Sequence, residues 1–363
     1  MANEEAIKIT RFAWNEAEPL HALICLPAVL LVMAAGILID QQSWAAMAVG
    51  GAMCVGFGSF QQPIFYRYGP MLAAAFGITI STFLGALFAV DSFALGCVCV
   101  LWAFVYGLMQ SQGTAASWVG VQCCVYLIIS SAAPDTHGRL LGTFHQAALR
   151  GVATLVGAAL EFFAILYFWR FVPRIRANLT DPHFDPQKFR ASYLLSHITP
   201  RSIYFHFAVR LAVTTAIAVM LYRFWWPMPN GYWIAMTAIL VVKPEFYLTT
   251  ERTVLRLLGT YLGAGVATVV ATLLRPNLWV LIVLVLIYLW ASYVFMNVNY
   301  GAFTVAITGY IAFLLAFNHL PEEYVLHNRM LATTIGGLLA LVIHAIFHLF
   351  RRAWPAPEDE PAV

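Results

Sequence analysis

Apolar residues in this chain gather in long unbroken runs, with polar residues confined to the gaps between them. The runs cover 20–39, 43–61, 69–90, 92–110, 113–133 and 145–169, and then 204–222, 230–242, 254–274, 277–295, 297–317 and 329–350. A helix that crosses a bilayer needs about 20 mostly apolar residues. The pattern therefore predicts about twelve transmembrane helices, six on each side of one hydrophilic stretch, "RFVPRIRANLTDPHFDPQKFRASYLLSHITPRS". That stretch is too short for a domain and is punctuated by X-Pro steps, which reads as a linker with one short interfacial helix. The segments expected are an N-terminal piece 1–19, a first membrane repeat 20–170, a linker 171–203, a second membrane repeat 204–350 and a tail 351–363.

Composition agrees with the pattern. Of 363 residues, 61% are hydrophobic and 10% charged, with a mean hydropathy of +0.78. Soluble domains are about one quarter charged, so the expected fold is an all-α polytopic membrane protein. The net charge of +3 gives no argument for nucleic acid. The N-terminal "MANEEAIKITRFAWNEAEP" has no short apolar core before a small-residue cleavage site, so no cleavable signal is expected. Cys25, Cys54, Cys97, Cys99, Cys123 and Cys124 all lie in apolar runs and read as buried free thiols.

Charge sets the orientation. With the N-terminus in the cytoplasm, fifteen of the 20 Lys and Arg residues fall on the inner side, among them Arg210, Lys243, Arg252 and Arg256. Arg139, Arg150, Arg223, Arg275 and Arg329 fall outside. This distribution predicts cytoplasmic termini and a cytoplasmic linker. Six spans before the linker give both halves one orientation, so repeats here would be parallel, about an axis along the membrane normal. Three matches recur in order: "RGVATLVGAAL" (150–160) with "RMLATTIGGLL" (329–339), "QPIFY" (62–66) with "KPEFY" (243–247), and the stripe Gly77, Ser81, Gly85 with Gly259, Gly263, Ala267. Together they predict two parallel six-helix repeats.

The second run of each half is irregular. "GYWIAMTAILVV" is about twelve residues long before Lys243 and Pro244, and its counterpart is interrupted by Gly50, Gly51, Gly56 and Gly58. Short or broken helices at matching places of two repeats point to a transport site, because free backbone dipoles are tolerated at membrane depth only where they line a cavity or face protein. On the next helix Arg252, Arg256, Gly259, Gly263 and Ala267 share one face. Two guanidinium groups thus precede a side-chain-poor strip that another helix can approach, and Thr260 stands beside it. The same cations also fit orientation signals and headgroup anchors, with Glu245 and Glu251 neutralising them.

The stretch "GYWIAMTAILVVKPEF…TTERTVLRLLGTYLGAG" resembles the signature region of the fusaric acid resistance family of bacterial inner-membrane exporters, which overlaps the aromatic acid exporters. The motif residues are Lys243, Pro244, Arg252, Arg256, Gly259, Thr260 and Gly263. "NYGAFTVAIT" (299–308) and "RMLATTIGG" (329–337) look like later blocks of the same module, and the resemblance spans 205–350. It implies proton-driven export of aromatic carboxylic acids. Larger members carry a cytoplasmic domain between the halves where this chain has only a linker, and Ala74 stands near the place of Arg256 in the first half.

Other residues bear on that reading. Glu161 is the one acid deep in an apolar run and is the candidate proton carrier, with snorkelling or pairing as the alternative. Arg150 and Arg329 could clamp a carboxylate or bond helix-end carbonyls. Asn297, Asn299, Tyr300, Thr304 and Thr308 form a polar strip suited to substrate contact or to helix–helix bonding. His344 and His348 have metal-ligand spacing but no third ligand, so no metal is expected. Asn178-Leu179-Thr180 fits a glycosylation sequon on the predicted cytoplasmic side and is discounted. No nucleotide-binding loop, nucleophile elbow or dinucleotide fingerprint appears, so ATP-driven transport is not expected; no cluster of polar catalytic groups stands at one interface beyond the basic mouth, so neither enzyme chemistry nor a cofactor is expected. The expected function is proton-coupled efflux of small organic anions, such as fusaric or hydroxybenzoic acid. The alternative is a passive organic-anion channel. Expected partners are the anion, protons, membrane lipid, and a periplasmic adaptor protein or a second copy of the chain.

Overall fold

The computed structural model describes residues 12–64, 66–132, 142–171, 185–227, 230–318 and 322–353. Lys8, Arg11, Arg139, Arg174, Arg176 and the sequon at 178–180 lie outside them. Among the described residues the fold is all helical, and no β-strand forms. The first half contains α1 (Pro19–Ile24), α2 (Pro27–Leu38), α3 (Gln42–Gly58), α4 (Gly69–Leu87), α5 (Ser92–Met109), α6 (Thr114–Ala132) and α7 (Phe144–Phe168). A short α8 (Ala191–Ser196) lies in the linker. The second half contains α9 (Ile203–Met220), α10 (Tyr232–Val241), α11 (Phe246–Leu274), α12 (Leu278–Phe295), α13 (Tyr300–Phe317) and α14 (Glu322–Ala353).

Local sequence sets these limits. Asp91, Thr143, Asn277 and Asn299 cap α5, α7, α12 and α13 by accepting hydrogen bonds from backbone N–H groups, as N-cap side chains do. Pro27 opens α2 and divides the first apolar run into two helices. Arg275 ends α11 in the left-handed conformation, with φ 41°.

Among the described residues ten helical stretches are long and apolar enough to cross a membrane, which makes this a polytopic membrane protein. The expectation of twelve spans differs at the second helix of each half. There α3 has 17 residues and α10 only 10. At 1.5 Å per residue, α10 is roughly 15 Å long, about half a hydrocarbon core. The expected start of α11 at 254 is also corrected. Phe246–Thr253 continues the helix inward because Thr249 and Thr253 turn into the bundle, where each hydroxyl donates to the carbonyl four residues earlier.

Helix packing repeats between the halves. In the first, α3 packs on α7, α4 on α6 and α7, α5 on α6, α2 on α3 and α7, and α3 on α4. The corresponding pairs pack in the second: α10 on α14, α11 on α13 and α14, α12 on α13, α9 on α10 and α14, and α10 on α11. The contacts between halves also pair up, with α5 on α9 and α6 on α10 answered by α12 on α1 and α2, and by α13 on α3. Glycines allow the closest approaches. A Cβ on Gly157 of α7 would fall on the carbonyl oxygen of Ala48 in α3, and one on Gly336 of α14 on that of Ile234 in α10.

The six cysteines are free, but Cys97 is exposed on the outer face and Cys123 is only partly covered, against the expectation that all are buried. Exposed Leu258, Leu262, Val266 and Val269 give α11 an apolar outer face. Its inner face carries Thr249, Thr253, Arg256, Gly259, Thr260 and Gly263, all buried. This inside-out polarity suits a helix whose solvent is lipid.

Candidate functional site

The inner face of α11 meets α13 and α14 in the second half. A Cβ on Gly259 would lie 2.6 Å from that of Thr304, and one on Gly263 would lie 2.8 Å from that of Thr308. These two glycines therefore bring α13's hydroxyl-bearing strip against α11. Thr260, Thr304 and Thr308 are fully buried. The Thr304 hydroxyl donates to the Tyr300 carbonyl at 2.8 Å, whereas the Thr260 hydroxyl has no partner.

Two arginines converge on this interface. Arg256 is 4% exposed and Arg329 1%. Arg329 donates one hydrogen bond, to Thr308 Oγ1 at 3.3 Å, and its guanidinium lies 4.2 Å from the centre of the Trp233 ring. Its Nε and Nη1 have no acceptor, and neither has Arg256 Nε. The two charges lie within electrostatic range of each other, and among the described residues no carboxylate forms an ion pair with either. The hydroxyl of Thr237 and the indole N–H of Trp233, on α10, are buried and unpartnered as well. The cluster is thus rich in free donors around two like charges. An uncompensated buried charge costs several kcal/mol, so this arrangement favours an anion between the arginines.

At one end of the cluster Arg252 is half-buried, with its guanidinium 4.6 Å from the centre of the Tyr300 ring. Lys243 sits in the turn between α10 and α11. A clamp holds this turn: Arg210 Nη2 donates to the carbonyls of Lys243 (2.6 Å) and Pro244 (2.9 Å). The Thr249 hydroxyl bonds the Lys243 backbone N–H, and His344 bridges the Thr249 hydroxyl and Arg210 through its two ring nitrogens. Spacing along the sequence does not reveal this clamp. Arg210, several residues inside an apolar run, was the available signal, and it counted only toward orientation. No group of metal-ligating side chains occurs among the described residues, and His344 serves the clamp.

Loss of water lowers the Lys243 ammonium to about 7, helped by the nearby Arg252 charge and opposed by Glu245. Its folded value lies below its free value, so stability rises as pH passes upward from about 7. The turn is cationic below that pH and loses one charge above it. Anion affinity at low ionic strength should fall about two- to fivefold between pH 6 and 8, the scale of one partly exposed charge. Lys243→Arg should abolish the step, and a step unchanged by that substitution would assign it to another group.

The remaining sequence-derived residues lie elsewhere. Arg150 is buried on α7 beside Gly151, which faces Thr79 and Phe83 of α4, so it stays in the first half. Glu161, also on α7, is fully buried, and neither carboxyl oxygen has a hydrogen-bond partner. Gly77 and Gly85 receive α6, against Cys123 and Leu127. Ser81, between them, accepts a hydrogen bond from Trp102 Nε1 at 2.9 Å. The structure brings together Arg252, Arg256, Thr260, Tyr300, Thr304 and Arg329; it does not bring Arg150 or Glu161 to them.

The chain is therefore a helical membrane protein with a buried, acid-free arginine cluster between α10, α11, α13 and α14. Residues 215–343, which hold nearly all of that cluster, match the family model described as fusaric acid resistance protein-like. Over this stretch of the second half the chain is similar to fusaric acid resistance protein-like proteins. It is 33% identical over 148 residues to Inner membrane protein YccS of Escherichia coli (strain K12), covering 40% of this chain and 20% of that protein. An uncharacterized protein, slr1298, of Synechocystis sp. is 35% identical over 118 residues, covering 31% of this chain and 15% of that protein. Uncharacterized protein YhfK of Escherichia coli (strain K12) is 33% identical over 133 residues, with shares of 37% and 18%. The matches thus span at most one fifth of each of these relatives' own length. No solved structure matches the chain.

Proposed function

We propose that this protein exports small organic anions, aromatic carboxylates among them, across the bacterial inner membrane in exchange for protons. The observation that carries the reading is the pair Arg256 and Arg329, both buried, both with unpartnered guanidinium N–H groups, and neither paired to an acid. A guanidinium fork matches a carboxylate in geometry and charge. The fusaric acid resistance-like match and the inner-membrane relative support the substrate class and the membrane. The recurring helix pairs support two parallel six-helix repeats, and the Lys and Arg distribution supports cytoplasmic termini. Chemistry is confined to binding and proton movement, so the protein is a carrier and not an enzyme.

Flux of labelled hydroxybenzoate in proteoliposomes, with pH and voltage gradients imposed separately, tests this. Uphill accumulation driven by a pH gradient is expected. Flux that follows voltage and ignores pH would replace the exporter with a passive anion channel.

A further inference from the structure

The first half holds a line of polar side chains that the anion site does not use. It begins at Glu18, just before α1, whose side chain is 22% exposed. Glu18 Oε2 lies 2.8 Å from His21 Nδ1. The other ring nitrogen, Nε2, lies 2.8 Å from the hydroxyl of Ser59, which follows α3. His21 is 1% exposed, and Phe60 stacks on its ring, with centroids 3.9 Å apart. The Ser59 hydroxyl donates to the Gly56 carbonyl at 2.7 Å and stands 3.8 Å from Cys25 Sγ. Cys25 in turn lies within interaction range of Glu161, whose two carboxyl oxygens are buried with no hydrogen-bond partner.

The three helices bearing these groups, α1, α3 and α7, belong to one packed unit, since α1 contacts α7 and α3 packs along it. Along the line, exposure falls from partly open at Glu18 to nothing at Ser59, Cys25 and Glu161. The other ionisable groups facing it are Arg67, which acts on His21 from the turn before α4, and Tyr293 of α12, beside Cys25 and Glu161. Tyr293 is held by its own hydrogen bond to the Met53 carbonyl at 3.2 Å.

We infer that Glu18, His21, Ser59 and Cys25 form a proton path between the surface at Glu18 and Glu161. An imidazole takes a proton on one nitrogen as it releases one from the other, and here the two nitrogens face different partners. A hydroxyl and a thiol pass protons in the same way, gaining one as they give one up, so no intermediate group is left charged and the proton count is conserved. Burying an ionised, unpaired carboxylate is costly; a carboxyl so placed exchanges a proton only through neighbours, which this line supplies. The inference rests on the proton-exchange reading above and adds the route.

The test uses the full chain in proteoliposomes, with hydroxybenzoate flux driven by a pH gradient and internal pH followed together. His21→Gln and Ser59→Ala should each lower the maximal rate about tenfold, leave the half-saturating anion concentration unchanged and enlarge the slowing in D2O. Ser59→Thr, which keeps a hydroxyl, should restore the rate. The Ser59 pair decides the matter even where His21→Gln does not fold. Wild-type rates in both variants, or Ser59→Ala and Ser59→Thr equally slow with an unchanged D2O effect, would overturn the path while leaving the exporter intact. Wild-type flux indifferent to pH would overturn the exporter reading itself.

Discussion

Arg256→Gln should weaken binding of an aromatic carboxylate about thirtyfold or more while leaving the empty protein as stable as before, or more so. Truncating one partner of a buried charge pair costs on the order of 2–5 kcal/mol in binding, and about 1.4 kcal/mol is tenfold. The stability half of the prediction is the sharper one. In the structure Arg256 Nε has no acceptor, Arg329 repels its charge, and among the described residues no carboxylate pairs with it. Removing such a charge relieves a cost, since buried ionic groups are often replaced by neutral ones without loss. A structural arginine would behave in the opposite way, with its removal lowering the melting temperature. Ligand titration by tryptophan fluorescence, using Trp233 beside Arg329 as reporter, together with thermal melting with and without anion, separates the two. Arg256→Lys should recover only part of the affinity, because an ammonium keeps the charge and loses the fork. Unchanged affinity in Arg256→Gln would remove the arginine from the site.

Much of this site was legible because membrane helices expose a narrow vocabulary. A helix that should be apolar all round and is not must turn its polar residues inward, which is why Arg256, Gly259, Thr260 and Gly263 could be placed on one inner face from spacing alone. The brevity of α10 was legible too, since Pro and Lys stand where a crossing helix would continue. What the spacing hid were pairings between distant segments. His21 meets Ser59 across 38 residues, and Arg210 meets the Lys243 carbonyl across 33; nothing local to either residue announces its partner. The extra turns at the start of α11 were hidden for a related reason. Thr249, Thr250 and Glu251 lie outside the apolar run that starts at 254, yet Thr249 and Thr253 are buried by α14 and the clamp. The Pro27 break within the first run was a local signal that a count of apolar residues passes over.

The two halves share helix pairs but not chemistry. On the proposed repeat Arg329 and Arg150 correspond, whereas Arg256 answers to Ala74 and Glu161 to Ala340. Both alanines are fully buried, so each half fills with a methyl group the place where the other holds a charge. The Arg256 cation and the Glu161 acid are thereby kept on different halves. Were they adjacent, they would neutralise each other as an ion pair, and neither would be free to take up an anion or a proton.

That division leads to the second large effect. Glu161→Gln should abolish the response of flux to a pH gradient, lowering the pH-driven accumulation ratio at least tenfold. The amide is nearly the same shape as the carboxyl and cannot release a proton in the working range. Glu161 is fully buried with Cys25 within interaction range, so the amide should cost no more than about 1–3 kcal/mol, the scale of one unsatisfied buried polar group, and thermal melting checks that the variant is folded. Glu161→Asp keeps the acid but withdraws it by one methylene from Cys25, so coupling should survive at a reduced rate. The decisive quantity is the slope of initial flux against the imposed pH difference at zero voltage. It should be steep in the wild type, shallower in Glu161→Asp and flat in Glu161→Gln. A steep slope retained in Glu161→Gln would move the coupled proton elsewhere. In the anion site itself that leaves Lys243, whose folded value lies at about 7, and Lys243→Arg would then be the substitution that flattens the slope.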